Sequence, residues 1–405
     1  MNALVDWRKP LRLDGQTFTD HKYELFDTLR SEHPVARAKI SVMSLWVVSR
    51  YEDCTAVLKH PQIWRNRTRA TGGRRLPFPT PRSLAPLINM MINEDDPNHR
   101  RLRNLVREPF RPQAMAPLQG DIEAICHELL DQALREPRFE LIADYALPLP
   151  TRVIQKLIGV PPEAMAGFQG LFNLAGEGFS GWRIMRSLFL DMPKYVRFTR
   201  ELVRNKRNQP GDDLLTRLLQ AEDAGDQLSE DEIVSLVFLL VVAGFETTVH
   251  LVTNGVLTLL QHPQALARLR EERTLDAPAV EEILRFRGPV LSTKANYLSE
   301  PLTLHGVTIP KGAAVMPLLG AANRDPAVFP DAERFLVDRT PNHHLGFGHG
   351  IHYCLGAHLA RMETQIGLRV LLERAPTLAL AVPEAQLRLQ RMPGWHRYEA
   401  LPLTL

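Results

Sequence analysis

The stretch Phe347-Gly348-His349-Gly350-Ile351-His352-Tyr353-Cys354-Leu355-Gly356 constrains this chain more than any other. It is rich in glycine, holds one cysteine, and runs into a helical pattern, Ala357-His358-Leu359-Ala360-Arg361. That layout suits a buried thiolate ligand for iron. A helix N-terminus stabilises negative charge through its free N–H groups and dipole. Glycines let backbone amides turn towards the sulfur, because they adopt dihedrals that a side chain forbids. Phe347 can wall the ligand with apolar surface. A buried structural cysteine beside a glycine turn is the competing interpretation, since free cysteine often behaves as a small apolar residue.

Every position of the pattern Phe-Gly-x-Gly-x-His-x-Cys-x-Gly is filled here. In this the stretch resembles the haem-binding loop of the cytochromes P450, and in particular of the soluble bacterial type. The resemblance implies a fold that is mainly α with small β-sheets, in one haem domain over residues 1–405 with no fused reductase. It implies haem b, iron protoporphyrin IX, with Cys354 as the iron ligand and with Phe347 and Gly348 in the binding loop. The implied reaction inserts one atom of dioxygen into a hydrophobic organic molecule, by hydroxylation or epoxidation. Electrons would come from a separate ferredoxin and ferredoxin reductase.

The 405 residues are 44% hydrophobic and 23% charged, ordinary values for a globular protein. A net charge of +3 is too small to indicate a nucleic-acid partner. Three cysteines, Cys54, Cys126 and Cys354, make neither a disulfide framework nor a paired zinc spacing, which fits a reducing, cytoplasmic setting. Residues 1–10 are polar and end in proline, unlike a secretory signal. No run reaches the roughly 18 consecutive apolar residues of a membrane span. The expectation is a monomer without a membrane span.

Leu45-Trp46-Val47-Val48 reads as a strand, and Tyr51 to His60 as a short helix ending before Pro61. Residues 61–93 read as a loop with Arg65, Arg67, Arg69, Arg74, Arg75 and Arg82, and no acid before Glu94. These arginines either meet an anionic group on a substrate or carrier, or are simply solvated. Met90, Met91 and Ile92 are candidates for a pocket wall.

Asp95-Asp96-Pro97 fits the start of a helix. His99 and Arg103 lie four apart on one face of it, and the resemblance makes them haem-propionate donors, together with His352. Residues 114–225 read as mostly helical. The run of Phe168, Phe172, Phe179, Trp182, Ile184, Met185, Leu188 and Phe189 is either core or part of a lid over the substrate.

Ser229-Glu230-Asp231-Glu232 is a capping box ahead of a long apolar helix from Ile233 to about Leu260. Ala243-Gly244-Phe245-Glu246-Thr247-Thr248 interrupts its apolar character, and buried polar groups need partners. Small residues and a backbone-loosening threonine could make room for dioxygen and a water. By resemblance Glu246 and Thr247 are the acid–alcohol pair that relays protons. Alternatively Glu246 forms a salt bridge and Thr247 bonds back to the preceding turn.

Glu282 and Arg285 lie three apart in Glu281-Glu282-Ile283-Leu284-Arg285. By resemblance they join Arg334 in a structural charge network. Residues 289–310 read as strands with a turn at His305-Gly306. Counting back from Gly306, the family's propionate-binding arginine falls at Asn296, and Lys294 two residues earlier is the expected replacement. Met392 to His396 reads as a turn. Val242, Ala243, Leu291 and Trp395 complete the expected substrate wall. Arg100, Arg101, Arg107, Arg111 and Arg361 are candidates for a basic docking face. The substrate would resemble the polyketides, terpenoids, steroids or fatty acids that related enzymes tailor. Two other activities stay open: a peroxide-driven peroxygenase, against which Glu246 argues, and a non-catalytic haem-thiolate ligand-binding protein.

Overall fold

The computed structural model describes residues 4–73, 85–161, 190–223 and 228–405. Short strands and helices alternate in the first third: β1 (Leu11–Arg12), β2 (Val35–Ile40), β3 (Met43–Val48), α1 (Tyr51–Lys59), β4 (Ile63–Trp64) and α2 (Asn98–Val106). Helices dominate from there: α3 (Leu118–Ala133), then β5 (Arg138–Glu140), α4 (Pro148–Ile158), α5 (Met192–Asn208), α6 (Glu230–Gln261) and α7 (Asp276–Arg287). The last third carries β6 (Asn296–Leu298), β7 (Leu302–Leu304), β8 (Val307–Ile309), β9 (Ala314–Pro317), α8 (Ala357–Arg374), β10 (Ala379–Leu380) and β11 (Pro402–Thr404).

The strand at Leu45–Val48, the helix ending before Pro61 and the turn at His305-Gly306 all fall where the sequence places them. The aromatic run from Phe168 to Phe189, with Arg74, Arg75 and Arg82, lies outside the described residues.

Helix α6 organises the main core. Its capping box forms as expected: the Glu232 N–H donates to Ser229 Oγ, and the Ser229 N–H donates to Glu232 Oε2 at 2.9 Å. An apolar helix without a polar face must be surrounded by protein, and α6 packs against α4, α5, α7 and α8. By length and composition it could cross a membrane, but 72% of its apolar window is buried inside the protein.

A six-stranded sheet runs in the order β1-β2-β3-β9-β6-β4, with β1 parallel to β2 and β3 parallel to β9. Its last pair, β4 and β6, is antiparallel and sets Ile63 opposite Leu298 and Trp64 opposite Tyr297. A three-stranded sheet, β10-β11-β5, and the β7-β8 hairpin complete the β-structure among the described residues.

Candidate active site

The cysteine loop sits just ahead of α8. The Gly348 N–H donates to the Leu345 carbonyl at 2.8 Å, and the Cys354 N–H donates to the Phe347 carbonyl at 2.9 Å. Gly350 has φ +72°, and a Cβ there would lie 2.6 Å from the Leu58 carbonyl oxygen at the end of α1. A side chain is therefore excluded twice, by dihedral and by space. Burial raises the Cys354 thiol, while the Gly356 N–H and the Arg103 and Arg361 guanidinium groups favour the thiolate.

Phe347 is packed against the core, and Arg361 lies over its ring at 4.4 Å. Arg361 also makes a two-pronged pair with Glu281, at 2.6 and 2.7 Å, and His344 lies 3.0 Å from the same carboxylate. Burial works against that charge, but the Arg361 and His344 hydrogen bonds hold Glu281 down at about 2. Arg361 is thus committed to the loop's support. Arg100 pairs with Asp96, while Arg107 and Arg111 share Glu108, so the expected basic face is largely neutralised by its own acids.

The middle of α6 opens to solvent at Ala243, with Thr247 half-buried one turn later on the same face. Thr247 Oγ1 donates to the Ala243 carbonyl at 3.0 Å, the back-bonding alternative. Glu246 is buried and paired with Arg397 from the C-terminal segment, the salt-bridge alternative. Burial raises the Glu246 carboxyl and Arg397 opposes that rise. Burial and the same arginine push His250, one turn on, down to about 3. Gly244 does not make room for a small molecule. A Cβ there would lie 2.8 Å from Ile154 Cδ1, so the glycine serves the close approach of α4. The helix runs through this stretch without a break.

Three cations, Arg65, Arg103 and Lys294, and two histidines collect beside the cysteine loop; burial and the neighbouring arginines push His352 down to about 2 and lower His99, so both rings are neutral. His99 is buried, and its ring lies 4.4 Å from that of His352. Arg103 Nη2 donates to the Tyr353 carbonyl at 2.7 Å, and Lys294 Nζ donates to Asn93 Oδ1 at 2.6 Å. Arg65 Nη1 donates to the Lys294 carbonyl at 2.7 Å. Lys294 is pushed down to about 8 by burial and by Arg65. His352 Nε2 and Arg65 Nε are buried without a partner. The Arg65, Arg103 and Lys294 side chains all bond uncharged oxygens, and among the described residues no carboxylate oxygen bonds any of these three side chains. Arg65 and Arg103 are half-buried and Lys294 is exposed; like charges gathered this closely repel one another, so this donor set fits an anionic group such as the two carboxylates of a haem.

Behind the loop the expected charge network takes a different form. Glu282 and Arg285, both fully buried, make two bonds of 2.7 Å. The third cation is Arg339, whose Nε lies 3.1 and 3.2 Å from the Glu282 oxygens, and not Arg334. The Arg334 side chain is 68% exposed beside Asp331, and only its backbone carbonyl joins the network, accepting from Arg285 Nη2 at 2.9 Å. Arg339 can reach the buried carboxylate because the chain doubles back after Phe335, so that Leu336 N–H also donates to Glu282.

The expected substrate wall divides. Ala243 is exposed, and Met90, Val242 and Trp395 are half-buried. Met91 and Leu291 are instead buried in two separate cores and offer almost no open surface. Arg67 lies 6.0 Å from the Tyr297 ring centre and Arg69 stacks on Trp64 at 3.8 Å, so neither is a merely solvated loop charge. Sequence reasoning missed Arg339 and Arg397. Arg397 lies 151 residues from Glu246, and no spacing rule connects them.

A profile of the family described as cytochrome P450 matches residues 182–375. The polyketide biosynthesis cytochrome P450 PksS of Bacillus subtilis (strain 168) is 35% identical over 396 residues, 96% of this chain and 97% of PksS. Its solved structure superposes with a TM-score of 0.88, covering 97% of this chain and 99% of that one. The cytochrome P450 monooxygenase PikC of Streptomyces venezuelae is 38% identical over 399 residues, 96% of this chain and 92% of PikC. The solved complex of P450BioI with an acyl carrier protein ligated to hexadec-9Z-enoic acid has a TM-score of 0.85 at 36% identity, covering 96% of this chain and 99% of that one. An α-rich fold with a cysteine loop at the head of a long helix and an acid–alcohol pair in the core helix thus defines a haem-binding class. The chain belongs to the cytochrome P450 family. It is a monooxygenase of that family.

Proposed function

We propose that the protein binds haem b between α6 and α8, with Cys354 as the iron ligand, and oxygenates a hydrophobic small molecule by hydroxylation or epoxidation. The observation that carries this reading is the cation group beside the Cys354 loop, Arg65, Arg103 and Lys294, whose side chains bond no carboxylate among the described residues. His99, Arg103, His352, Arg65 and Lys294 form the donor set from which the haem carboxylates would be held. Bound haem would supply the reductive activation of dioxygen, with thiolate donation favouring O–O cleavage.

The chain's own residues orient, exclude water and handle protons. Phe347 and the Gly356 N–H keep the sulfur dry and its charge stabilised. Thr247 faces the open side of α6 with its hydroxyl hydrogen directed at Ala243, which leaves its oxygen free to accept. Glu246 is a buried carboxyl with its affinity for protons raised, which suits a general acid. To deliver a proton it must leave Arg397 or share its bond with water. Electrons would reach the protein from a ferredoxin and its reductase.

The test is purified protein with its haem extracted and identified, reduced under carbon monoxide, and then assayed with ferredoxin, reductase and labelled dioxygen. A strongly red-shifted carbonyl band and one labelled oxygen atom in the product support the reading. Product formed with peroxide alone would favour a peroxygenase. Ligand binding without turnover would favour a non-catalytic carrier. A carbonyl band at the histidine-ligated position would remove Cys354 from its role.

A further inference from the structure

By the resemblance, the family's propionate arginine falls at Asn296 here, and Asn296 is buried with its amide bonded to backbone carbonyls. Three observations show where the charge has gone. The first is register. β4 and β6 pair antiparallel, with Trp64 opposite Tyr297. Arg65 is the bend residue that follows Trp64, and extending the register one step past the last pair would bring it level with Asn296. The second is a shared acceptor. Arg65 Nη1 at 2.7 Å and Asn296 Nδ2 at 3.2 Å both donate to the Lys294 carbonyl oxygen. The Arg65 guanidinium therefore ends beside the Asn296 amide, having arrived from the neighbouring strand.

The third observation is how Arg65 is held. Its own N–H and that of Asn66 each donate to one oxygen of the buried Asp95 carboxylate, both at 2.9 Å. Asp95 is thereby occupied with main chain, and it fixes the Arg65 backbone without bonding its guanidinium. Arg65 Nε is buried and has no partner. The result is a positioned cation with unused donors, beside His352 and Arg103. A guanidinium offers a planar fork that matches a carboxylate, which an ammonium does not. Lys294, by contrast, is tethered to Asn93.

We infer that Arg65 is the principal carboxylate-binding cation on this side of the haem, moved across the β4–β6 ladder from the position of Asn296, and that Lys294 is secondary. The inference rests on the haem reading above.

The haem-loaded enzyme tests it through haem transfer to excess apomyoglobin and through the iron midpoint potential, with no turnover needed. Arg65→Ala should release haem roughly tenfold or more faster, the scale of a lost charge-assisted hydrogen bond. Its reduced carbonyl spectrum should keep the thiolate band. Arg65→Gln keeps a donor for the Lys294 carbonyl without the charge, so it should show the same loss even where Arg65→Ala folds poorly. Lys294→Met should stay within about threefold of the parent, since it removes only the secondary cation. The decisive variant is Arg65→Ala with Asn296→Arg, which should restore slow release by returning the charge to the other strand. Parent-like release from both Arg65 variants, or fast release from Lys294→Met alone, would overturn the inference. A parent protein without the thiolate band would overturn the haem reading itself, and this inference with it.

Discussion

Two groups of charge lie near the cysteine loop, one fully buried and one partly open to solvent, and they are built on opposite rules. Behind the loop, Glu282 receives hydrogen bonds from Arg285, Arg339, Asn342 and the Leu336 N–H, and Arg285 also reaches the carbonyls of Asn323, Ala332 and Arg334. In the other group, the side chains of Arg65, Arg103 and Lys294 bond only neutral oxygens, and His352 Nε2 bonds nothing. A closed network has no vacancy for a ligand and acts on the fold. An open group of one sign lowers the fold's stability until an anion arrives. Satisfaction of the charges, more than their number, separates scaffold from binding site.

The largest effect should come from opening the closed network. Arg285→Met leaves Glu282 without its main partner in a fully buried site. Loss of one member of such a pair costs about 3–5 kcal/mol, a large share of a domain's total stability. Urea unfolding should show that loss or no folded protein at all. Arg339→Met should follow, and Arg334→Ala, on an exposed side chain, should change stability by less than about 0.5 kcal/mol. A severe Arg334→Ala would return that residue to the network.

That last contrast marks where the sequence stops being informative. The cysteine loop, the Ser229 capping box and the His305-Gly306 turn are local patterns, because a loop or cap is specified by residues within a few positions of each other. Glu282 and Arg285 share a helical face for the same reason. Their third partner is set by the path of an irregular segment, so the resemblance points to Arg334 where the fold supplies Arg339. Arg397 meets Glu246 across a core that no local pattern describes. Arg65 is intermediate: it looks like one of six loop arginines until the β4–β6 register, extended one step, brings it level with Asn296.

The Glu246–Arg397 pair stands between the two extremes. It is buried and closed on one side, yet Arg397 Nε and His250 Nδ1 are buried without partners next to it. If it is a proton relay, Glu246→Gln keeps the size and loses the acid, and turnover should fall by about 100-fold. The solvent isotope effect should rise while substrate affinity stays near the parent value. If the pair is scaffold, stability should fall and turnover per folded molecule should not.

Glu281 gives a smaller effect that depends on pH. Its folded value is held at about 2, below the ordinary 4.5, by Arg361 and His344. A depressed acid stabilises the fold above its unfolded value, and that contribution is lost as pH falls from about 4.5 towards 2. The amount is on the order of 2–3 kcal/mol. Glu281→Gln should therefore flatten the acid limb of a stability curve and have its full effect at neutral pH. A parent-like acid limb would mean that the Glu281 pair is not held as tightly as its bond lengths indicate.

The smallest effect should have the opposite sign. Lys294 keeps solvent contact but is crowded by protein beside Arg65, and desolvation and that arginine lower its folded value to about 8 from 10.5. The unfolded lysine keeps its proton over that range while the folded one loses it. Haem-free protein should then gain stability as pH rises from about 8 to 10.5. Lys294→Met removes the repulsion from Arg65 but also the bond to Asn93, so haem-free protein should gain a little stability at neutral pH, a gain kept small by solvent screening of the exposed ammonium. With haem bound the gain should shrink or reverse, because the anion compensates the charge that the methionine removes. Thermal unfolding of both forms of Lys294→Met measures the difference directly. Destabilisation of the haem-free form would mean that Lys294 is already satisfied by Asn93, and that the open group is smaller by one cation.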